Sequence, residues 1–310
     1  MKVLIVVSGN IEEFNMQLHH AFVHEQIDAI KKYFNVEYDI YQIKGKGISG
    51  YLKNLSSLKK HIGSFKPDIV HAHFGLSGLL AVMQRKVPVI ITFHGSDINL
   101  DSVRPFSVIA SKLSKYNIFV SDKLLQKIKI NGNSAVIPCG IDQDVFYPLS
   151  MKKAKELLKM NPDKKYILFS SSFDRAEKNS SLAFSAINKL KLNCELLELK
   201  NRSREEVNLL LNACDLLLLT SFTEGSPQVI KEAMTCNCPI VTTDVGDIRE
   251  VINGTDGCYI TSFEPEEIAE KIKLALQFNG RTNGREKISH FDNKLIAAKV
   301  YSVYKQIVKE

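Results

Sequence analysis

The sequence predicts an α/β protein made of two tandem, doubly wound units, each a parallel sheet with helices on both faces. Three observations predict it. Short apolar runs alternate with longer amphipathic stretches along the chain, the pattern of parallel strands buried between helices. The series stops in polar, Lys-rich sequence near Pro148–Asn161 and then starts again. The length of 310 residues suits two domains of about 150 residues each.

In the first half the strand-like runs are 3–8 (VLIVVS), 36–43 (VEYDIYQI), 68–73 (DIVHAH), 88–94 (PVIITFH), 117–121 (NIFVS) and 135–138 (AVIP). Helical patterns lie between them near 14–33, 51–63, 76–84, 104–114 and 122–130. The first run has five consecutive apolar residues, and Glu12 and Glu13 follow soon after. It is too short for a signal-peptide core or a membrane span and reads as a buried strand. In the second half the runs are 165–171 (KYILFSS), 194–199 (CELLEL), 215–220 (DLLLLT), 239–243 (PIVTT) and 258–261 (CYIT). Helical patterns fill 179–191, 203–212, 227–236, 246–252 and 264–277, and a last amphipathic stretch covers 285–308. The expected domains are 1–148 and 149–290, with 291–310 a C-terminal helix packing back on the first. Two such units place a ligand in the cleft between the C-terminal edges of their strands.

Composition narrows the function. Apolar residues make up 45% and charged residues 24%, ordinary for a globular protein. The net charge is +7, and most of the excess falls in residues 1–148. That fits an anionic substrate or an anionic membrane surface. No zinc finger, aromatic RNA-binding signature or basic helix accompanies it, so nucleic acid is not an expected partner. The six cysteines have no paired CxxC spacing and read as small buried hydrophobes in a reducing compartment. With no run of 18 apolar residues, the expected location is the cytoplasm, with peripheral contact at the inner face of a membrane left open. No GxGxxG, Walker, GxSxG or HExxH motif occurs, which disfavours nicotinamide enzymes, P-loop kinases, serine hydrolases and zincins.

The chemistry lies in loops after strands. In DLLLLTSFTEGSPQVIKEAM (215–234) a strand ends at Thr220 and a loop carries Ser221, Glu224 and Gly225. Ser226 is placed to cap a helix with Pro227 at its first position. A helix N-terminus there attracts phosphate, and Glu224 and Glu232 offer carboxylates for vicinal hydroxyls. After 165–171 come Arg175 and Lys178, cations suited to a diphosphate. The run 88–94 ends in His94, and Asp97 follows it. Asp142-Gln143-Asp144 has the form of a metal-binding DxD, but it sits near the join between units, and no metal site is expected.

EGSPQVIKE, two glutamates with seven residues between them, resembles the signature of family four of the retaining, nucleotide-sugar-dependent glycosyltransferases, which have the GT-B fold of two Rossmann-like domains. DIVHAHFG (68–75), ITFHGSD (91–97), IPCGIDQDVFYP (137–148), FDRAEKN (173–179) and PIVTTDVGDIREVI (239–252) resemble further segments of that family in the same order.

The resemblance implies a role for each residue. Glu232 binds the nucleotide ribose. Glu224 binds the donor sugar, with N–H groups near Gly225 and Ser226. Lys178 and Arg175 bind the diphosphate, His94 faces the sugar, and Gly9 and Asn10 meet phosphate and acceptor. Many members carry Arg where this chain has Phe173. The expected activity is transfer of a sugar from a nucleoside diphosphate to a hydroxyl of a glycan or lipid-linked acceptor, with retention and without a metal or other cofactor, in bacterial polysaccharide or glycolipid synthesis. The alternatives are a nucleotide-sugar epimerase on the same fold and an inactive partner subunit.

Overall fold

The structure is a computed structural model that describes residues 1–10, 13–129, 132–190, 192–278 and 280–309. The chain forms two compact units, Met1–Gly140 with Asn293–Glu310, and Ile141–Asp292. The division falls before Ile141, not after Pro148 where the sequence places it. Ile141 and Phe146 are fully buried in the core of the second unit and so belong to it. The Lys-rich join is not a plain linker either. Met151–Leu157 is a helix whose N-cap Ser150 accepts from the Lys153 N–H. Lys155 on it is buried, with Nζ donating to the carbonyls of Pro162 and Lys164.

The first unit holds six parallel strands: β1 (Lys2–Ser8), β2 (Glu37–Ile43), β3 (Ile69–His73), β4 (Val89–Phe93), β5 (Tyr116–Phe119) and β6 (Ser134–Val136), in the order β2-β1-β3-β4-β5-β6. Alternation along a strand sends neighbours to opposite faces. Val3, Ile5 and Val7 enter one core, and Leu4 and Val6 enter the other. The C-terminal helix, Asn293–Lys309, buries Ile296, Val300, Val303, Tyr304 and Ile307 in the first of these cores.

The helix expected over 14–33 is broken into Met16–His19 and Ala21–Tyr33. His20 leaves helical geometry (φ −135°, ψ 46°), and its Nε2 lies 3.0 Å from the Ser8 carbonyl at the end of β1. The last amphipathic stretch is likewise split, by a turn of 3₁₀ helix at Ser289–Phe291.

The second unit holds five parallel strands: β7 (Lys165–Phe169), β8 (Cys194–Glu198), β9 (Leu216–Leu219), β10 (Ile240–Thr243) and β11 (Cys258–Thr261), in the order β11-β10-β9-β7-β8. Leu217 and Leu219 face one core, Leu216 and Leu218 the other. All six cysteines are free. Among the described residues no helix is long and apolar enough to cross a membrane.

Candidate functional site

In the second unit, three loops at the C-terminal ends of β7, β9 and β10 are tied together. Thr220 Oγ1, just past β9, donates to the carbonyls of Lys178 and Asn179 at 3.0 and 2.9 Å. The Phe222 N–H donates to the Glu177 carbonyl, and Thr243 Oγ1 donates to the Ser221 carbonyl. Asn179 takes the left-handed conformation (φ 55°), which Asn tolerates better than most residues. Gly246, at φ 60°, brings the loop after β10 against Gly225. A Cβ on Gly246 would lie 2.7 Å from the Gly225 carbonyl oxygen.

This stitching joins two of the expected site residues. Lys178 Nζ is 2.5 Å from Glu224 Oε1, and both side chains are largely buried. Ser221 Oγ donates to the same carboxylate oxygen at 2.7 Å. The helix beside them begins one residue later than expected. Gln228–Thr235 is helical, and Pro227 is the N-cap (φ −69°, ψ 119°), whose side chain makes no capping hydrogen bond. Ser226 is therefore not the cap, because the extended Pro227 separates it from the helix.

Glu232 is 4% exposed and pairs with Arg204, Nη1 to Oε1 2.8 Å. The Arg204 guanidinium also stacks over the Phe146 ring at 4.6 Å. Arg204 opens helix Arg204–Ala213 behind a Ser203/Glu206 capping box. Serine with Glu three residues on marks that helix start in the sequence, but nothing there links Arg204 to a glutamate 28 positions away. The neighbouring Lys231, also missed, is fully buried with Nζ 4.8 Å over the Phe291 ring.

Arg175 is not brought to the Lys178–Glu224 pair. It is half exposed and bound to Glu177, with Nε 2.8 Å from Oε1. Phe173 packs between Phe169 and Phe184, and its N–H donates to Glu198.

In the first unit, the Gly9 N–H donates to the Ile43 carbonyl and Asn10 Nδ2 donates to Ser8 Oγ. Ile11 and Glu12 lie outside the described residues. Asp97 clamps two loops. Its buried carboxylate accepts the N–H groups of His94, Gly95 and Gly75. Burial pushes its pKa up to about 6, against the pull of those donors. His94 Nε2 is 3.0 Å from His73 Nδ1, and the ring packs on Phe22 and Phe74. His71 is core structure. Tyr304 OH and Thr92 Oγ1 take its two nitrogens at 2.6 and 2.7 Å, and burial lowers its pKa to about 3.

Each unit thus presents polar groups at the C-terminal ends of its strands. The second unit offers a cation–carboxylate pair beside a helix start and an oriented carboxylate, a set suited to a phosphorylated sugar. Among the described residues, no three His, Cys, Asp or Glu cluster as metal ligands.

Residues 23–145 match the model of the family described as Glycosyltransferase Family 4, and residues 175–277 match that of Glycosyl transferases group 1. An uncharacterized glycosyltransferase of Methanocaldococcus jannaschii is 27% identical, over 85% of this chain and 82% of its own. The N,N'-diacetylbacillosaminyl-diphospho-undecaprenol alpha-1,3-N-acetylgalactosaminyltransferase of Campylobacter jejuni is 23% identical, over 83% and 82%. The solved structure of Anabaena HepE in complex with UDP superposes with a TM-score of 0.75 at 16% identity, over 99% of this chain and all of that one.

Proposed function

The chain belongs to glycosyltransferase family four and is a nucleotide-sugar glycosyltransferase of the GT-B fold, and from that premise we propose that it transfers a hexosyl or related sugar with retention, without a metal. In this reading the bond from the sugar C1 to the diphosphate oxygen breaks while the acceptor oxygen bonds C1 on the same face. The acceptor proton passes to the leaving phosphate. The step calls for positive charge on the departing diphosphate more than for a protein base.

The observation that carries the reading is the Lys178–Glu224 pair at the helix start. An ammonium has three N–H donors. With one on Glu224, Lys178 keeps capacity for phosphate oxygens beside the start of the helix at Gln228. Glu224 takes the sugar hydroxyls, and Glu232, oriented by Arg204, takes the ribose. His94 faces the sugar, and Gly9 and Asn10 meet phosphate and acceptor. The Campylobacter relative is named for a diphospho-undecaprenol-linked acceptor. From it we take the class alone, a glycan or lipid-linked hydroxyl. The test is incubation with UDP-, GDP- and ADP-sugars and the cognate acceptor class, with the product anomer read by NMR. Retention is expected, and inversion would overturn the mechanism.

A lipid-linked acceptor suits a membrane-bound enzyme, and one surface supports that. A pocket of about 680 Å³ at the N-terminal end of β4 is lined by Lys59, Arg85, Lys86 and Lys115, with no acid among its lining residues. Met83 and Leu113 on its rim are exposed. Buried Gln84 fixes the loop by accepting the N–H groups of Lys86 and Val87. Cations beside exposed apolar groups suit an anionic lipid surface, at about 1 kcal/mol per basic residue. Co-sedimentation with phosphatidylglycerol vesicles, lost in Arg85→Glu/Lys86→Glu, is the expected result. Equal binding to neutral phosphatidylcholine would count against it.

A further inference from the structure

Residues 44–67, which follow β2, carry six lysines and no Asp or Glu. They open with a short helix, Gly47–Leu52, none of whose residues is buried. The fold nevertheless pins it. Buried Asn54 donates from Nδ2 to the carbonyls of Lys44 and Gly50, at 2.8 Å each, and accepts the Lys44 N–H at Oδ1. Gly45 takes φ 108°, and a Cβ on Gly50 would stand 2.6 Å from the Gly45 carbonyl carbon. Tyr51 roots the turn in the core beneath. A buried amide and two glycines thus fix a turn that adds little to the core, and its use lies in what it presents.

It presents Ile48 and Leu52, both exposed and one turn apart on the same face. Lys44, Lys46 and Lys53 flank them in the chain. All three are exposed, and among the described residues none has a carboxylate partner. A single exposed apolar residue needs no explanation. Paired apolar side chains among unpaired cations suit an amphiphile, a phosphoryl group joined to a hydrocarbon chain. The next helix, Leu55–Phe65, carries Lys59 into the lining of the basic pocket beside β4, which joins the turn to the surface assigned above to anionic lipid.

Position says which amphiphile. The Gly9 N–H donates to the Ile43 carbonyl at 2.9 Å, and Lys44 is the next residue. The turn therefore adjoins the loop that the proposed function gives to the acceptor. The donor diphosphate is matched by Lys178 in the second unit, so an anion at this turn arrives with the acceptor. We propose that the turn Lys44–Lys53 docks the acceptor and that the acceptor is a phosphate-bearing lipid, its phosphoryl oxygens on Lys44, Lys46 and Lys53 and its first chain carbons on Ile48 and Leu52. This rests on the glycosyltransferase reading and narrows its acceptor from a glycan or lipid-linked hydroxyl to an anionic lipid-linked one.

The test uses fluorescence of the full chain, which has no tryptophan, so that Ser49→Trp places a single reporter on the turn. Dodecyl diphosphate, kept below its micelle concentration, should shift the emission to the blue and saturate. Dodecyl maltoside, a chain without the anion, and inorganic diphosphate, the anion without a chain, should each bind about tenfold more weakly or worse. Lys44→Gln/Lys46→Gln/Lys53→Gln should weaken dodecyl diphosphate about 10- to 100-fold, and Lys→Arg at the same three positions should retain it. Ile48→Ser/Leu52→Ser should bring it down to the level of inorganic diphosphate. Calorimetry on the wild type should give the same order of affinities. In turnover assays dodecyl diphosphate should compete with the acceptor and not with the nucleotide sugar. An absent shift, equal binding of dodecyl maltoside, or competition with the nucleotide sugar overturns the proposal. So does a shift with phosphatidylglycerol vesicles but not with dodecyl diphosphate, which would make the turn a membrane contact. Binding is read without donor or turnover, so its failure is distinct from a failure of the glycosyltransferase reading.

Discussion

Lys178 Nζ and Glu224 Oε1 are bound to each other at 2.5 Å. The two groups assigned to opposite ends of a sugar diphosphate are one unit in the free protein. Lys178→Ala should cut turnover about 10²–10³-fold, the scale of losing a charge-stabilising group. It should also destabilise the fold by about 1–3 kcal/mol, because it leaves a largely buried carboxylate without its cation. In a double-mutant cycle the Lys178→Ala/Glu224→Ala protein should lose less stability than the sum of the singles. Strict additivity in thermal or urea unfolding would mean the pair has no coupling.

The two glutamates should fail differently. Glu232→Ala removes a carboxylate used in ground and transition states alike, so nucleoside-diphosphate affinity should fall by about 1.5–3 kcal/mol. Glu224→Ala should leave that affinity nearly intact and lower turnover instead. Calorimetry beside kinetics separates them.

Arg204→Ala should reproduce part of the Glu232→Ala binding defect. It frees a carboxylate that Arg204 now fixes from above the Phe146 ring. Normal nucleotide affinity in a folded Arg204→Ala protein would show that the pair serves the fold alone.

Arg175→Ala should change turnover by no more than about threefold, since a half-exposed ion pair such as Arg175–Glu177 contributes about 0–1 kcal/mol. A loss as large as that of Lys178→Ala would mean that Arg175 leaves Glu177 for the donor.

Stability should fall on acidification. His71 has a folded pKa of about 3, and His73 is also held low. Below about pH 6.5 the unfolded chain therefore binds more protons than the folded one, and stability rises with pH at about 1.4 kcal/mol per pH unit per histidine. For His71 that contribution is complete above pH 6.5 and is lost toward pH 3. Asp97, raised to about 6, acts oppositely between about pH 4 and 6 and offsets one histidine there. Urea unfolding from pH 8 to 5 should show the decline, and His71→Asn should flatten it.

The strands were legible because buried parallel strands are short and almost wholly apolar, as in Leu216–Leu219. The loops of the site were legible from their places after those strands. What stayed hidden was long-range pairing. No local pattern joins Lys178 to Glu224, 46 residues on, or Arg204 to Glu232. The boundary near Pro148 was misplaced because polar composition marks exposure, while Ile141 and Phe146 show their allegiance only by the core they fill. The break at His20 was hidden because its cause is a carbonyl on another element.

The return of Asn293–Lys309 to the first unit has a consequence for synthesis on the ribosome. The second unit is one uninterrupted stretch, Ile141–Asp292, and all of it has been translated before Asn293 is added. The first unit, begun earlier, must wait. Val3, Ile69 and Tyr116 share their core with Val300 and Tyr304, so that flank of the nascent sheet, covered in part by Ala21–Tyr33, lacks the rest of its cover until residues 293–309 have left the exit tunnel. Domains generally fold as units in order of emergence. Here the order of completion is reversed, and the earlier-born half is the one exposed to chaperones and to aggregation for longer.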